Sequence, residues 1–517
     1  MNQKFKFFGN DILAGLVVFL VALPLCLGIG LASTNVENIT SLPSVFPGLL
    51  AGVIGGVVVG LLSGSKVGVS GPAAGLITII ISSIGILGSY QVFLVAVIIA
   101  GFIQLLFGLF NLGVVAKYVP NSVIKGMLAA IGITLILKEI PHLLGYDKDF
   151  FGDESFWQFD GHNTFTELLY SFNAFQLGSL IIGVFSIAFI ILLDKPYFKR
   201  KRMFKLVPSA LIVVFLGVIF QLLFKETGLE VSAKHLVQLP VLKNMGEVSK
   251  VLFFPDFNAF GNWQVYSIAI IIAIVASLET LLSVEATDKL DPEKNVTPTR
   301  RELMAQGIGN IFSGFIGGLP ITQVVVRSSA NIDAGVKTKF STVIHGVFLI
   351  LAILLLPVVL NQIPLASLAA ILIMVGYKLS KASLFKEMYG KGMDQFIPFI
   401  LTITGVLFTD LLKGIGIGLL VSIYFILKRN SQNNFTKIEE KGVVFIRLAE
   451  EVSFLNKVGI HRTLENASPH SKMTIDASNC QSIDQDILEI LQDFKSFGSQ
   501  HKGIDFQMIN FQHLTKK

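Results

Sequence analysis

Long apolar runs separated by short polar stretches dominate this chain, and windows of about 19 residues resolve them into roughly fourteen segments. They centre near Val21, Val57, Ile79, Ala100, Ile131, Gly183, Val214, Ile274, Gly309, Val325, Ile350, Ala370, Gly405 and Leu420. The runs are continuous and lack the two-residue alternation of membrane-barrel strands, so they predict helices. No charged residue falls between Val67 and Ala116 or between Phe340 and Tyr377. Each stretch exceeds the ~20 residues that cross a bilayer and must hold more than one span or half-span. The first run, Ile12 to Ala32, follows Lys4 and Lys6 as a cleaved signal peptide would. It is long for a signal and contains Pro24 and Gly28, so a first transmembrane helix is the better reading.

From about Arg429 the hydropathy drops, dividing the chain into a membrane part, residues 1–430, and a small soluble module, residues 431–517. Val443 to Leu448, Met473 to Ile475 and Ile504 to Met508 read as strands. Asp484 to Phe497 has helical spacing, with Ile487, Leu488, Leu491 and Phe494 on one face. The predicted class is an all-α polytopic membrane protein followed by a small cytoplasmic α/β domain.

Composition sharpens this picture. Hydrophobic residues make up 52% and charged residues 15%, against roughly 25% charged in soluble domains. The net charge of +6 could point to nucleic acid, but its location argues for topology instead. Lys195, Lys199, Arg200, Lys201, Arg202 and Lys205 follow the sixth segment, Lys337 and Lys339 the tenth, and Lys378, Lys381, Lys386 and Lys391 the twelfth. The opposite loops are acidic or uncharged, with Asp147, Asp149, Asp153, Glu154, Asp160 and Glu167 between the fifth and sixth segments. The positive-inside rule then places both termini in the cytoplasm of an inner-membrane protein. Cys26 and Cys480 offer neither a disulfide framework nor metal-ligand spacing and read as packing residues. His142 and His345 read as isolated polar residues.

Two segments open on Gly/Pro breaks inside apolar sequence. They are Gly68-Val-Ser-Gly-Pro-Ala-Ala-Gly75 and Gly317-Gly-Leu-Pro-Ile-Thr-Gln323. As the third and tenth of fourteen segments they occupy matching positions in a seven-plus-seven inverted repeat, the best sequence pointer to a transporter's binding site. Pro72 and Pro320 are placed to open half-helices. The free amides and partial positive charge of two opposed N-termini make an anion site in hydrocarbon. Arg327, placed about one and a half turns into the second half-helix, adds charge at membrane depth, where charge is costly unless it works. Its structural alternative is a pairing with a carboxylate such as Glu279. Glu279 lies among Ala276, Ser277, Thr280 and Ser283. With Ser283 one turn on, it is suited to hold a cation or carry a proton.

These residues resemble the SulP (sulfate permease) family of anion transporters. The resemblance runs through Asp11-Ile-Leu-Ala-Gly-Leu, Ala22-Leu-Pro-Leu, Ser70-Gly-Pro-Ala-Ala and Glu279-Thr-Leu-Leu-Ser. It continues through Arg301-Glu-Leu-Met-Ala-Gln-Gly-Ile-Gly-Asn and Gly317-Gly-Leu-Pro to Arg327-Ser-Ser-Ala-Asn. It implies fourteen helices in two inverted repeats, a core that moves against a gate in an elevator-type cycle, a homodimer, and a C-terminal STAS-like domain. By matching positions it implies that Leu25, Ala73, Ala74, Gln323, Val324, Val325 and Arg327 line the solute site. It assigns the coupling ion, Na+ or H+, to Glu279 and Ser283. Gln323, Val324 and Val325 replace the small or hydroxyl residues of sodium-coupled members, and Leu25 stands where many relatives carry glutamine. Ile483-Asp-Gln-Asp-Ile487 replaces the turn that holds a phosphorylatable serine in many STAS domains.

The implied function is secondary transport of small inorganic anions of the sulfate and bicarbonate class, cation-coupled or by exchange, with no cofactor beyond the coupling ion. Partners would be the anion, membrane lipid and a second copy, without nucleic acid. The apolar Leu25, Val324 and Val325 lean the reading toward bicarbonate. The alternatives are an anion channel or an uncoupled dicarboxylate or chloride transporter. A channel would need rings of charge that the sequence lacks. An enzyme would need a nucleophile constellation, phosphate loop or metal cluster, and none is present.

Overall fold

A computed structural model describes residues 8–34, 45–148, 156–157, 162–199, 208–239, 252–355, 357–432, 435–440 and 442–514. The basic cluster Arg200, Lys201, Arg202 and Lys205 lies outside the described residues, as do Lys4, Lys6, Asp149, Asp153, Glu154 and Asp160. The chain forms two compact units, meeting in sequence between Gly418 and Leu419.

The first unit is helical. In chain order it comprises α1 (Phe8–Ser33), α2 (Phe46–Ile54), strand β1 (Ser70–Pro72), α3 (Ile77–Leu87), α4 (Tyr90–Leu109) and α5 (Asn121–Leu144). There follow α6 (Thr164–Asn173), α7 (Leu177–Leu193), α8 (Ser209–Phe224), α9 (Trp263–Leu290) and α10 (Thr299–Ile316). Strand β2 (Ile321–Gln323), α11 (Val325–Asp333), α12 (Phe340–Leu355), α13 (Leu365–Leu379), α14 (Ala382–Gly390) and α15 (Met393–Phe408) follow, and α16 (Leu411–Gln432) contains the division between the two units. Every segment centre read from the hydropathy pattern falls on a helical stretch. The first run is a bundle helix, since α1 buries Asp11, Ala14 and almost every residue from Val17 to Ser33.

Among the described residues, five stretches are long and apolar enough to cross a bilayer, namely α1, α4, α9, α13 together with α14, and α16 as far as Arg429, or six if the pair α6 and α7, bent by 115°, is one span. The others are shorter, broken, or interrupted by polar side chains. In the second apolar run, α2 passes through a π-helical turn, Gly55–Val59, before ending at Leu62. Large apolar side chains such as Phe102, Leu106, Ile270, Ile271 and Leu354 are exposed on the outside of the unit, as lipid-facing positions are in a membrane bundle.

Three packing groups stand out. One hydrophobic cluster joins buried residues of α1, α2, α3, α4, α9 and α10 with Leu319 and Ile321. A second joins α5, α14 and α15, and a third joins α7 to α13 through Ile182 and Ala366. Without a hydrophobic drive between helices in lipid, close association depends on small residues, and glycines meet in reciprocal pairs here. A Cβ at Gly101 of α4 would lie 2.6 Å from Gly307 O of α10, and one at Gly307 2.7 Å from Gly101 O. Across α5 and α13, Gly132 and Gly376 stand the same way, at 2.5 and 2.6 Å from each other's carbonyls. Gly56 of the π-turn and Gly346 of α12 make a third meeting, with a Cβ on Gly56 falling 2.6 Å from Gly346 Cα. Gly132→Val is therefore expected to force α5 and α13 apart and cut the yield of monodisperse protein severalfold. Size-exclusion chromatography of the detergent-purified protein checks this.

The second unit carries a four-stranded sheet of β3 (Phe435–Glu440), β4 (Val443–Leu448), β6 (Lys472–Asp476) and β8 (Asp505–Ile509) in the order β3-β4-β6-β8. β5 (Glu451–Val452) and β7 (Ser482–Ile483) form a short parallel pair. Helices α17 (Lys457–Glu465) and α18 (Gln485–Asp493) pack on this framework through Ile460, Leu464, Ile487 and Leu491. All three strands read from the sequence are present, and the amphipathic helix begins after Asp484, whose side chain caps it.

Candidate functional site

The two Gly/Pro breaks pair with each other. Ser70, Gly71 and Pro72 of β1 lie antiparallel to Gln323, Thr322 and Ile321 of β2. This corrects the sequence reading of both prolines. Pro72 closes a strand and Pro320 precedes one; the helices open later, at Ala74 in a 3-10 turn leading to α3 and at Val325 in α11. A proline without an N–H is tolerated at such strand ends. Around the pair, Val324 N–H donates to Val69 O (2.9 Å), Val69 N–H to Ser328 Oγ (2.9 Å) and Asn331 Nδ2 to Val67 O (2.9 Å). Thr342 of α12 adds a bond from Oγ1 to Gly68 O at 3.1 Å. The two half-helices thus start next to one another with their first amides free of intrahelical partners.

A polar stripe on α10 holds this arrangement. Glu302, Gln306 and Asn310 recur every four residues, which places them on one helix face, and all three are fully buried. Asn310 binds the main chain of β2 twice, accepting from Ile321 N–H at 2.6 Å and donating to Ile321 O at 3.0 Å. Its amide also reaches Gln104 Oε1 of α4 at 2.6 Å. Gln306 Nε2 donates to Ser70 Oγ (2.7 Å) and to Glu302 Oε1 (2.9 Å), while Ser63 Oγ donates to Glu302 Oε2 (2.5 Å). These residues belong to the motif quoted above, but the sequence reading gave them no role. Three polar residues four apart inside an apolar helix were the available signal.

Glu279 and Ser283 lie in α9, both buried. The Glu279 carboxylate borders the first half-helix: a Cβ on Gly75 would sit 3.2 Å from Oε1 and 3.4 Å from Oε2. The neighbouring Thr280 Oγ1 accepts from Gln323 N–H at 3.3 Å, tying α9 to the end of β2. Around these contacts the structure is closed except at the tips, where Ala74, Gly75 and Val324 keep partial access. Leu25, Ala73, Gln323, Val325 and Arg327 are buried.

Arg327 is in the first turn of α11, not one and a half turns in, because that helix starts at Val325. Its guanidinium is directed at β1, where Nη2 donates to Pro72 O at 3.3 Å and Nη1 abuts Gly71. Cys26 of α1 is a neighbour of the guanidinium, a contact the sequence reading of Cys26 as plain packing did not anticipate. The Gln323 side chain packs on Gly68, two residues ahead of β1, and its amide atoms have no hydrogen-bond partner among the described residues. The structure therefore brings Ala73, Ala74, Val324, Val325 and Glu279 to the two half-helix starts. It turns the side chain of Gln323 toward Gly68 and that of Arg327 toward β1.

His142 is not isolated. Asp147 accepts from it at 2.5 Å and from His235 on its other oxygen, joining the end of α5 to the segment that leads to α9. At the start of the chain's first helix, Asp11 accepts from Lys337 N–H (2.9 Å), Thr338 N–H (3.0 Å) and Thr338 Oγ1 (2.5 Å), fastening α1 to the turn after α11.

Known proteins resemble this chain in sequence and in fold. The Bacillus subtilis protein YvdB, provisionally named a sulfate transporter, is 29% identical over 435 residues, covering 83% of this chain and 75% of its own. The bicarbonate transporter BicA of Picosynechococcus is 25% identical over 455 residues, 84% of this chain and 73% of that one. Among solved structures, the murine anion transporter Slc26a9 in its inward-facing state superposes with a TM-score of 0.66 at 16% identity. That match covers 98% of this chain and 86% of the other. The transmembrane domain of a cyanobacterial BicA gives a TM-score of 0.52 at 22% identity, covering 81% of this chain and 98% of that domain. These relatives are transporters and not enzymes. The model of the sulfate permease family matches residues 8–403, and the chain belongs to that family of anion transporters.

Proposed function

We propose that this protein is an elevator-type secondary carrier for small inorganic anions, with bicarbonate its preferred solute. The observation that carries the reading is the antiparallel pairing of β1 and β2 at the heads of two half-helices, with the Glu279 carboxylate against Gly75. Paired helix starts offer free amides and positive dipole ends to an anion. The adjacent carboxylate offers a coupling cation or proton its place, with Ser283 one turn along α9. Apolar Leu25, Val324 and Val325 leave few side-chain donors for a divalent oxyanion, which favours the smaller monovalent one. BicA, named for bicarbonate transport, is among the relatives.

In this reading the fourteen apolar segments form two inverted repeats of seven, with both termini cytoplasmic in the inner membrane and two copies per assembly. The glycine meetings support the repeat. The α4–α10 pair and the π-turn–α12 pair exchange places under it, and the α5–α13 pair maps onto itself. The clusters around α1, α3, α9 and α11 make the moving core, those around α5, α7 and α13 the gate, and the last strands and helices the cytoplasmic STAS-like domain.

Lys378 of α13 spans the two groups, pairing with Asp194 after α7 at 3.5 Å and with Asp333 of α11 at 3.3 Å. Core movement must break the second pair. Such partly exposed pairs are worth about 0.2–1 kcal/mol, so Lys378→Met is expected to change the exchange rate by up to about fivefold. The reversed pair, Lys378→Asp with Asp333→Lys, is expected to recover part of the change in a proteoliposome exchange assay.

Uptake of labelled bicarbonate, sulfate and succinate into proteoliposomes, with and without an imposed sodium or proton gradient, tests the function itself. Saturable uptake led by bicarbonate is expected. Non-saturating flux indifferent to both gradients would favour a channel.

A further inference from the structure

Polarity is inverted on α6. This ten-residue helix packs on α5, burying Thr164, Glu167 and Ser171, while Phe165, Leu169 and Phe172 stand 45, 67 and 57% exposed. At about 100° per residue, the three apolar side chains fall within an arc of about 60°. Thr166, Tyr170 and Asn173 occupy the next arc around the helix and are partly or fully exposed. The helix is firmly started, since Asn163 Oδ1 accepts from both Phe165 N–H and Thr166 N–H at 3.0 Å. On a water-facing surface a helix turns its apolar stripe inward. Here the inward face is polar, and the apolar stripe is bordered by a polar one, as in helices that lie in a membrane interface.

Further observations say what covers the stripe. α6 is bent by 115° from α7, and a span tilted by about 20° from the membrane normal leaves a neighbour bent this far near the membrane plane. The apolar surface continues into α7 through the exposed Phe175, Leu177, Ile181 and Val184, on a helix whose outer side meets lipid. From residue 164 to residue 185 the only charged residue is Glu167, which is buried. Trp157, exposed just ahead of the helix, is bridged to Asn163, and tryptophan favours the headgroup level. Three side chains of this size bury about 500 Å², less than the roughly 800 Å² per partner of a stable protein contact. We infer that α6 is an interfacial anchor, whose Phe165, Leu169 and Phe172 insert into the outer leaflet where headgroups meet acyl chains. Apolar burial holds it there, without help from charge, and it ties the α5 and α7 ends of the gate to the lipid surface. The inference takes from the topology proposed above only the choice of leaflet; insertion itself requires only that α7 cross the membrane.

The test places a single tryptophan in the full-length protein. Trp157→Phe and Trp263→Phe remove the two natural ones, and Leu169→Trp or Tyr170→Trp sets a reporter on the apolar or the polar arc. Phe172→Trp, an aromatic exchange on the apolar arc, is run in parallel in case the Leu169 variant does not fold. Each protein is reconstituted into phosphatidylcholine vesicles whose lipids carry bromine near the carbonyl end or near the methyl end of the acyl chain, and its fluorescence is also titrated with acrylamide from the water. Carbonyl-end bromine is expected to quench the Leu169 and Phe172 reporters at least about twofold more than methyl-end bromine does, and at least about twofold more than it quenches the Tyr170 reporter. Acrylamide should quench the Tyr170 reporter more strongly than the other two. The pattern should persist at high salt and when phosphatidylglycerol replaces part of the lipid. Apolar-arc reporters open to acrylamide and untouched by bromine would put the stripe in water, and reporters shielded from both would put it against protein, such as a second copy; either result overturns the inference. Quenching that appears only with phosphatidylglycerol would overturn anchoring by apolar burial alone. Both leaflets carry bromine, so an inverted topology would leave these readings unchanged, and its failure is distinct from that of the anchor.

Discussion

Asn310→Leu is expected to abolish uptake, lowering it by well over tenfold, and to reduce the melting temperature of the detergent-purified protein. The side chain bonds both main-chain groups of Ile321 and reaches across to Gln104. Leucine is close in volume but would leave the Ile321 N–H and C=O, both fully buried, without partners. An unsatisfied buried group costs about 1–3 kcal/mol, and two on one residue would detach β2 from α10. Because β2 carries Gln323 to the start of α11, its displacement would pull apart the paired half-helix starts. Asn310→Asp keeps the acceptor for Ile321 N–H and loses both donated bonds, so it should fall between wild type and leucine. Wild-type uptake by the leucine variant would mean that β1 alone holds β2 in place.

Glu279→Gln should separate coupling from binding. Glutamine preserves the shape beside Gly75 but can neither bind a cation by charge nor carry a proton. Accumulation driven by a sodium or proton gradient is expected to fall at least about tenfold, which corresponds to about 1.4 kcal/mol of lost driving force. Exchange of labelled for unlabelled anion, which needs no net coupling, should persist at a comparable half-saturating concentration. Gly75→Ala provides a graded control. Its added Cβ would stand 3.2 Å from Glu279 Oε1, tighter than ordinary contact, so it should weaken coupling less than the glutamine does. Undiminished gradient-driven uptake by the glutamine variant would remove Glu279 from the coupling role.

Much of this arrangement was legible in the sequence because hydropathy is a one-dimensional property. Apolar runs marked the helices, and the drop after Arg429 marked the strand-containing domain, although α16 runs on to Gln432. The matched positions of the two Gly/Pro breaks marked the segments that pair as β1 and β2. Their conformation was not legible. Ser70-Gly-Pro and Ile321-Thr-Gln become strands only because each pairs with the other across some 250 residues, and local propensity holds no information about that partner. One error followed from assuming that the helices open at the prolines: Arg327 was placed too far along its helix. The packing of the Gln323 side chain on Gly68 was likewise not legible. The α10 stripe was visible as spacing, but its partner, the backbone of β2, was not. In the C-terminal unit the buried strands were found, whereas β3, an exposed edge strand of Phe-Thr-Lys-Ile-Glu-Glu, has too weak an alternation to announce itself.

The claim on which everything else depends is that the anion sits at the two half-helix starts. Val324, partly accessible and just ahead of α11, is the position from which to test it. In a Val324→Cys, Cys480→Ser protein, the rate of modification by a small methanethiosulfonate reagent is measured against rising bicarbonate. The account predicts that modification slows severalfold and saturates at the concentration that half-saturates uptake. A rate that stays constant while bicarbonate is being transported would contradict it.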